Sequence, residues 1–148
     1  LMKNLFLSIL LFSTIGATKD SFAHCQVPCG IYGDQNRFEQ MLEDQSTIEK
    51  ASKLINELSG KKDAQSKNQL SRWVSTKESH ATAIQKTIAD YFMAQRIKAS
   101  DPKYVEKLTK AHSIMVAAMK CKQSVDAETS ASLKKAILSF HKSYEGKK

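Results

Sequence analysis

Proline occurs twice and glycine five times in 148 residues, and aromatic side chains make up only 7%. So little turn-forming material argues against folds assembled from many short strands and favours a few long elements. No segment alternates apolar and polar residues as a half-buried strand would, so no sheet is expected. There is no glycine-rich phosphate loop, internal repeat, sustained heptad or low-complexity tract. Lys and Arg number 23 against 15 Asp and Glu, a net charge of +8, yet the basic residues are not interleaved with aromatics, which argues against a nucleic-acid partner. Three cysteines are too few, and the wrong parity, for a disulfide framework.

The one long apolar run lies near the start. Met2 and Lys3 precede a stretch of about thirteen mostly apolar residues from Leu5 to Ala17, in the range of an export signal and short for a bilayer span. Ser21 and Ala23 are the small residues that a signal peptidase reads, so residues 1–23 are expected to be removed and His24 to become a free terminus. The location implied is periplasmic or extracellular after leader cleavage, with the cytoplasm as the alternative. A retained N-terminal anchor is the rival reading, weakened by the lack of a stop-transfer cluster. Loss of Lys3, Lys19 and Asp20 with the leader leaves about +7, enough to steer a small anion by attraction.

Residues 24–148 read as one all-α domain, an antiparallel four-helix bundle with an N-terminal metal-binding hook. The first helix has Asp34 as its N-cap, Gly60 as its stop, and Phe38, Met41, Leu42, Ile48, Ala51, Leu54, Ile55 and Leu58 on one face. After a linker over residues 61–66, the second runs from about Lys67 to Lys98 with Leu70, Trp73, Val74, Ala81, Ile84, Ile88, Tyr91 and Phe92 inward. Asp101 and Pro102 open the third as cap and first helical residue, with Val105, Leu108, Ala111, Met115, Ala118 and Met119 inward. The fourth begins near Asp126 and buries Leu133, Ala136, Ile137, Phe140 and Tyr144. Inward Glu-x-x-His pairs that would place a metal in the bundle core are absent. Glu78, His80, His112 and His141 read as surface or cap residues, and Cys121 as a half-buried, inert helical cysteine.

Chemistry therefore concentrates in His24-Cys25-Gln26-Val27-Pro28-Cys29-Gly30-Ile31-Tyr32. The spacing excludes haem attachment through C-x-x-C-H, and a zinc module lacks its second ligand pair. A cleaved terminus offers something else. The His24 amine and the deprotonated amide nitrogen of Cys25 close a chelate ring, and the thiolates of Cys25 and Cys29 complete two nitrogens and two sulfurs. Such a planar donor set suits Ni(II) or Cu(II) better than zinc or the hard divalent ions. Thiolate and amide donors favour a higher oxidation state, and the His24 imidazole can approach along the axis as a fifth ligand.

These nine residues strongly resemble the N-terminal motif of the nickel-containing superoxide dismutases, H-C-x-x-P-C-G-x-Y. The resemblance implies a homohexamer of four-helix-bundle subunits with one nickel ion per subunit, converting superoxide to dioxygen and hydrogen peroxide by Ni(II)/Ni(III) cycling. Nickel would be held by His24, Cys25 and Cys29. By the same resemblance Pro28 carries the cis bond that turns the hook, Tyr32 guards the open axial side, and Glu39, in Arg37-Phe38-Glu39, orients the histidine ring with a second-helix partner sought at His80 or Lys77. The partners implied are superoxide, a leader protease and copies of the same chain, with no membrane in the mature form. The chain departs from some members of the family in a loop between Tyr32 and Arg37 one residue shorter, with Gly33-Asp34 where they have Asp-Pro, and in Gln26, which replaces an acidic residue beside the first cysteine. The main rival is an exported helical binding or structural protein with a Cys25–Cys29 disulfide, and another is a nickel or copper carrier that never turns over.

Overall fold

In a computed structural model the described residues are 33–145. The leader and the hook residues His24, Cys25, Pro28, Cys29 and Tyr32 lie outside them. Four helices follow one another: α1 Asp34–Ser59, α2 Ala64–Lys86, α3 Tyr104–Gln123 and α4 Ala127–Glu145, with a π-helical segment Thr87–Arg96 continuing α2. No strand occurs among the described residues, and no helix there is long and apolar enough to cross a membrane. Each helix packs on its two neighbours in the order α1, α2, α3, α4 and back to α1, the up-down arrangement that short connections impose.

One core fills the space between them. Phe38, Met41 and Ile48 of α1 meet Ala81, Ile84 and Ile88 of the second helix, Ala111, Ile114 and Ala118 of α3, and Leu133, Ile137 and Phe140 of α4. At one end the core is aromatic: Phe38 lies 4.9 Å from Phe92 and 5.5 Å from Phe140 between ring centroids, and Phe92 meets Phe140 edge-on at 5.1 Å. Tilted and edge-on pairs of this kind add about 0.5–1.5 kcal/mol each beyond area burial.

Several helix ends differ from the sequence expectation. Asp34 is inside α1, not its cap; Gly33 occupies the cap position, offering no side chain, and the Asp34 carboxylate is engaged elsewhere. Helix α2 begins within the expected linker because Asp63 accepts from the Ser66 amide at 2.9 Å and so starts the helix early. Its far end is not α-helical: the last ten residues are wound as a π-helix that stops at Arg96, with Ile97 extended and its amide donating to the Phe92 carbonyl. Asp101 and Pro102 form a turn before α3; Asp101 receives the Lys103 amide, and the helix starts at Tyr104. The apolar face of α3 is rotated from the expected one, burying Ile114 and Cys121 and leaving Val105 73% exposed and Met119 mostly outward. Val74 is also outward, and Trp73 is only half-buried, with the Lys50 ammonium over its ring.

Polar groups enter the core where the sequence shows only a solvated face. Cys121 is fully buried, not half-buried, and burial pushes its thiol up. Lys77, 3% exposed, closes the end of α3: its Nζ donates to the Cys121 carbonyl at 2.5 Å and the Lys122 carbonyl at 2.8 Å. These are carbonyls the helix cannot satisfy itself, and an ammonium suits the negative end of the helix dipole. Lys77→Met, which keeps the stem and removes the donor, is expected to cost about 2 kcal/mol and lower Tm by about 8 °C. Lys120→Met on the exposed side of the same turn should shift Tm by no more than about 2 °C in the same thermal-unfolding series.

Candidate functional site

Gly33 follows Tyr32 directly in sequence, so the end of the bundle where α1 begins is the end nearest along the chain to the expected hook. Four elements meet there: the first turn of α1, the π-helical segment, the last turn of α4 and the first turn of α3. Asp34 is the hub. Its Oδ1 accepts the Tyr91 hydroxyl at 2.5 Å, its Oδ2 accepts the Tyr144 hydroxyl at 2.8 Å, and the Arg96 Nε stands 3.0 Å from Oδ1. That Nε lies within ion-pair distance but off the N–H axis, so it is an ion contact and not a hydrogen bond. The Arg96 fork instead donates from Nη2 to the Tyr91 oxygen at 2.9 Å.

The π winding brings this about. Residues five apart are about 140° from each other round an α-helix, whereas bonding from i to i+5 sets them on one side. Arg96 thus folds over the Tyr91 ring at 5.1 Å, and Gln95 reaches back to the Asp90 carbonyl at 2.8 Å. Arg37 of α1 also lies over Tyr91, at 5.4 Å, and Lys107 of α3 over Tyr144 at 5.1 Å. Cations over aromatic faces thus line this end, Arg96 paired with Asp34 and Lys107 with Asp101 at 2.6 Å.

Burial pushes the Asp34 carboxyl up, but the Tyr91 and Tyr144 hydroxyls and the Arg96 charge together outweigh it and hold it below the ordinary range. Burial, then the hydrogen bond to the Asp34 carboxylate, raises both tyrosines, Tyr144 strongly. The Tyr91 hydrogen bond raises Arg96, so all four groups favour the ionised carboxylate, neutral phenols and guanidinium found together here.

Glu39, the residue expected to orient the histidine ring, is exposed on α1 and accepts from Gln35 Nε2 at 2.8 Å. Neither second-helix partner sought for it contacts it: Lys77 is on the α3 carbonyls and His80 on Asp44. His80 is accordingly not a plain surface residue. Its Nδ1 is 2.7 Å from Oδ1 of Asp44, a carboxylate that is 3% exposed. His141 too is drawn in, stacked on Phe38 at 4.0 Å with its Nε2 2.9 Å from Glu145. His112 stays outward, on a groove of about 480 Å³ between α3 and α4. Among the described residues no three His, Cys, Asp or Glu side chains gather as a metal site. The Asp34 hub was missed because its partners lie 57 and 110 residues away; the tyrosines spaced for the inward faces were its only trace.

The family described as nickel-containing superoxide dismutase matches residues 19–148, a span that includes His24 to Tyr32 and every described helix. No curated protein and no solved structure matches the chain.

The lowered Asp34 pKa has a defined consequence. Its stabilisation is complete above the unfolded carboxyl value, about pH 4, and is lost as pH falls through the depressed folded value. Urea midpoints of the metal-free protein should therefore show wild type more stable than Asp34→Asn at pH 5, with the gap closing toward pH 2. The raised tyrosines act in the opposite limb, their contribution being full below about pH 10 and lost above it.

Proposed function

The chain belongs to the nickel-containing superoxide dismutase family, and from that premise we propose that the segment His24–Tyr32, freed by removal of residues 1–23, is its metal hook. The family makes the chain an oxidoreductase acting on superoxide, with nickel as its cofactor. The observation that carries the finer reading is the His-Cys-x-x-Pro-Cys run itself, lying in the matched span and ending at Cys29, four residues before Gly33, the residue that leads into α1.

The donor set fits the metal. One amine, one deprotonated amide and two thiolates from His24, Cys25 and Cys29 match the preference of Ni(II) for strong, planar donors. When bound, nickel supplies a one-electron couple between its divalent and trivalent states, enough to oxidise one superoxide to dioxygen and reduce a second to peroxide. The protein's part is to hold and shape. His24 would provide its terminal amine and its imidazole as donors, and Cys25 and Cys29 would provide the sulfurs. Pro28 turns the chain between the cysteines, since proline alone adopts a cis bond at small cost. Tyr32 excludes ligands larger than the substrate, and Glu39 orients the imidazole. A net charge of about +7 after leader removal, with Arg37 and Arg96 at the hook's end of the bundle, draws the anionic substrate in. In this reading the leader directs export, a leader protease exposes the His24 amine, and the mature chains assemble as a homohexamer.

The terminal amine makes the reading sharp. Mature protein beginning at His24 should bind one nickel per chain and consume superoxide. The same protein with one extra residue before His24 should keep its helical circular dichroism and lose activity by at least about a hundredfold. Undiminished dismutation by the extended protein rules out the amine as a ligand. A mature protein that takes up no nickel and carries a Cys25–Cys29 disulfide is instead a helical binding protein, and nickel bound without turnover marks a carrier.

A further inference from the structure

We propose that Asp34 is a positioning residue for the hook, its carboxylate pinning the point at which the chain from Tyr32 enters the bundle. The proposal rests on the hook reading above. Helix α1 starts with no side-chain cap, because Gly33 stands where a Ser, Thr, Asp or Asn would ordinarily accept a first-turn amide. At its start the Gly33 carbonyl accepts the Asn36 amide at 3.2 Å. An uncapped start frays, and what opposes fraying here is tertiary.

Three groups from two distant parts of the chain converge on the one carboxylate. Tyr91 and Arg96 come from the π-helical segment, and Tyr144 comes from the last turn of α4. The phenol rings are themselves fixed by the aromatic end of the core, Tyr91 edge-on to Phe92 at 5.2 Å and Tyr144 edge-on to the same ring at 5.3 Å. A carboxylate held by groups that cannot move is a rigid anchor, unlike a surface ion pair between two long side chains.

Distance along the chain makes the anchor matter to the metal. Asp34 is two residues from Tyr32 and five from Cys29, so the intervening backbone spans at most about 7 Å and about 18 Å. Movement of Asp34 therefore moves the point from which both are reached. Misplacing a reacting group by about 1 Å costs on the order of a hundredfold in rate, and loss of a residue that supports a metal ligand costs about ten- to a hundredfold in affinity or activity.

The test pairs a metal-free and a nickel-loaded measurement on mature protein. In metal-free Asp34→Ala, hydrogen exchange at the amides of residues 38–41, the first that the α1 ladder protects, should speed up about tenfold, while the middle of α1 is unchanged. In the loaded protein the variant should keep its helicity, release nickel at least about tenfold faster, and show altered nickel charge-transfer bands with lower kcat. Tyr144→Phe, which removes one of the bonds and keeps the ring, should shift every readout the same way by a smaller amount. Faster exchange with wild-type nickel release and absorption would make Asp34 merely structural and overturn the proposal, as would unchanged exchange. A wild-type protein that binds no nickel overturns the hook reading and this proposal together, and the wild-type arm alone distinguishes that failure from failure of the anchor.

Discussion

One carboxylate, roughly a third exposed, joins the start of α1 to two other parts of the chain. Asp34 gathers Tyr91, Tyr144 and Arg96, and through their rings it is tied to Phe92, Phe140 and Phe38 beneath. Remove that charge and two phenols and a guanidinium lose their common partner at a point already closed to much of the solvent, which costs more than the bonds themselves contribute. The aromatic end of the core is thus both a packing unit and a mount. Its rings stabilise the bundle, and their polar edges hold the first residue of α1.

Other buried polar groups follow the same rule. Asp44 enters the α1–α2 interface with His80 as its partner, Gln45 donates to the Ser130 carbonyl across to α4, and Lys77 closes the end of α3. Each joins two helices by a bond that holds only in one register, so the four amphipathic faces cannot slide or rotate freely past each other. The bundle is specified by such bonds as well as by volume.

Much was legible in the residues alone. The helical spacing of Phe38, Met41, Ile48, Ile84, Ile88, Leu133, Ile137 and Phe140 identified core positions, because a buried face must recur every three or four residues. The breaks near residues 60, 100 and 125 showed as polar, glycine- or proline-bearing stretches. Cap residues were harder: Asp34 and Asp101 have the right chemistry for capping, but a carboxylate goes to its strongest available donors, and for Asp34 those are phenols brought by other helices. The face of α3 was right at Leu108, Ala111, Met115 and Ala118 and wrong at Val105 and Met119, because those two fit a stripe almost as well as Tyr104, Ile114 and Cys121 do. Only the neighbours decide between two nearly equal stripes.

What the sequence by itself determined is the all-helical class, the four helices and the run His24-Cys25-x-x-Pro28-Cys29, since period, turn content and ligand spacing are local properties that survive without any neighbour. What only the tertiary structure decided is how the bundle grips the root of that run: the π winding at Thr87–Arg96, the turn of Arg96 over Tyr91, and the meeting of both with Tyr144 on Asp34. Those contacts join residues 57 and 110 positions apart, and no local pattern encodes a hydrogen bond whose donor and acceptor become neighbours only after the core has closed.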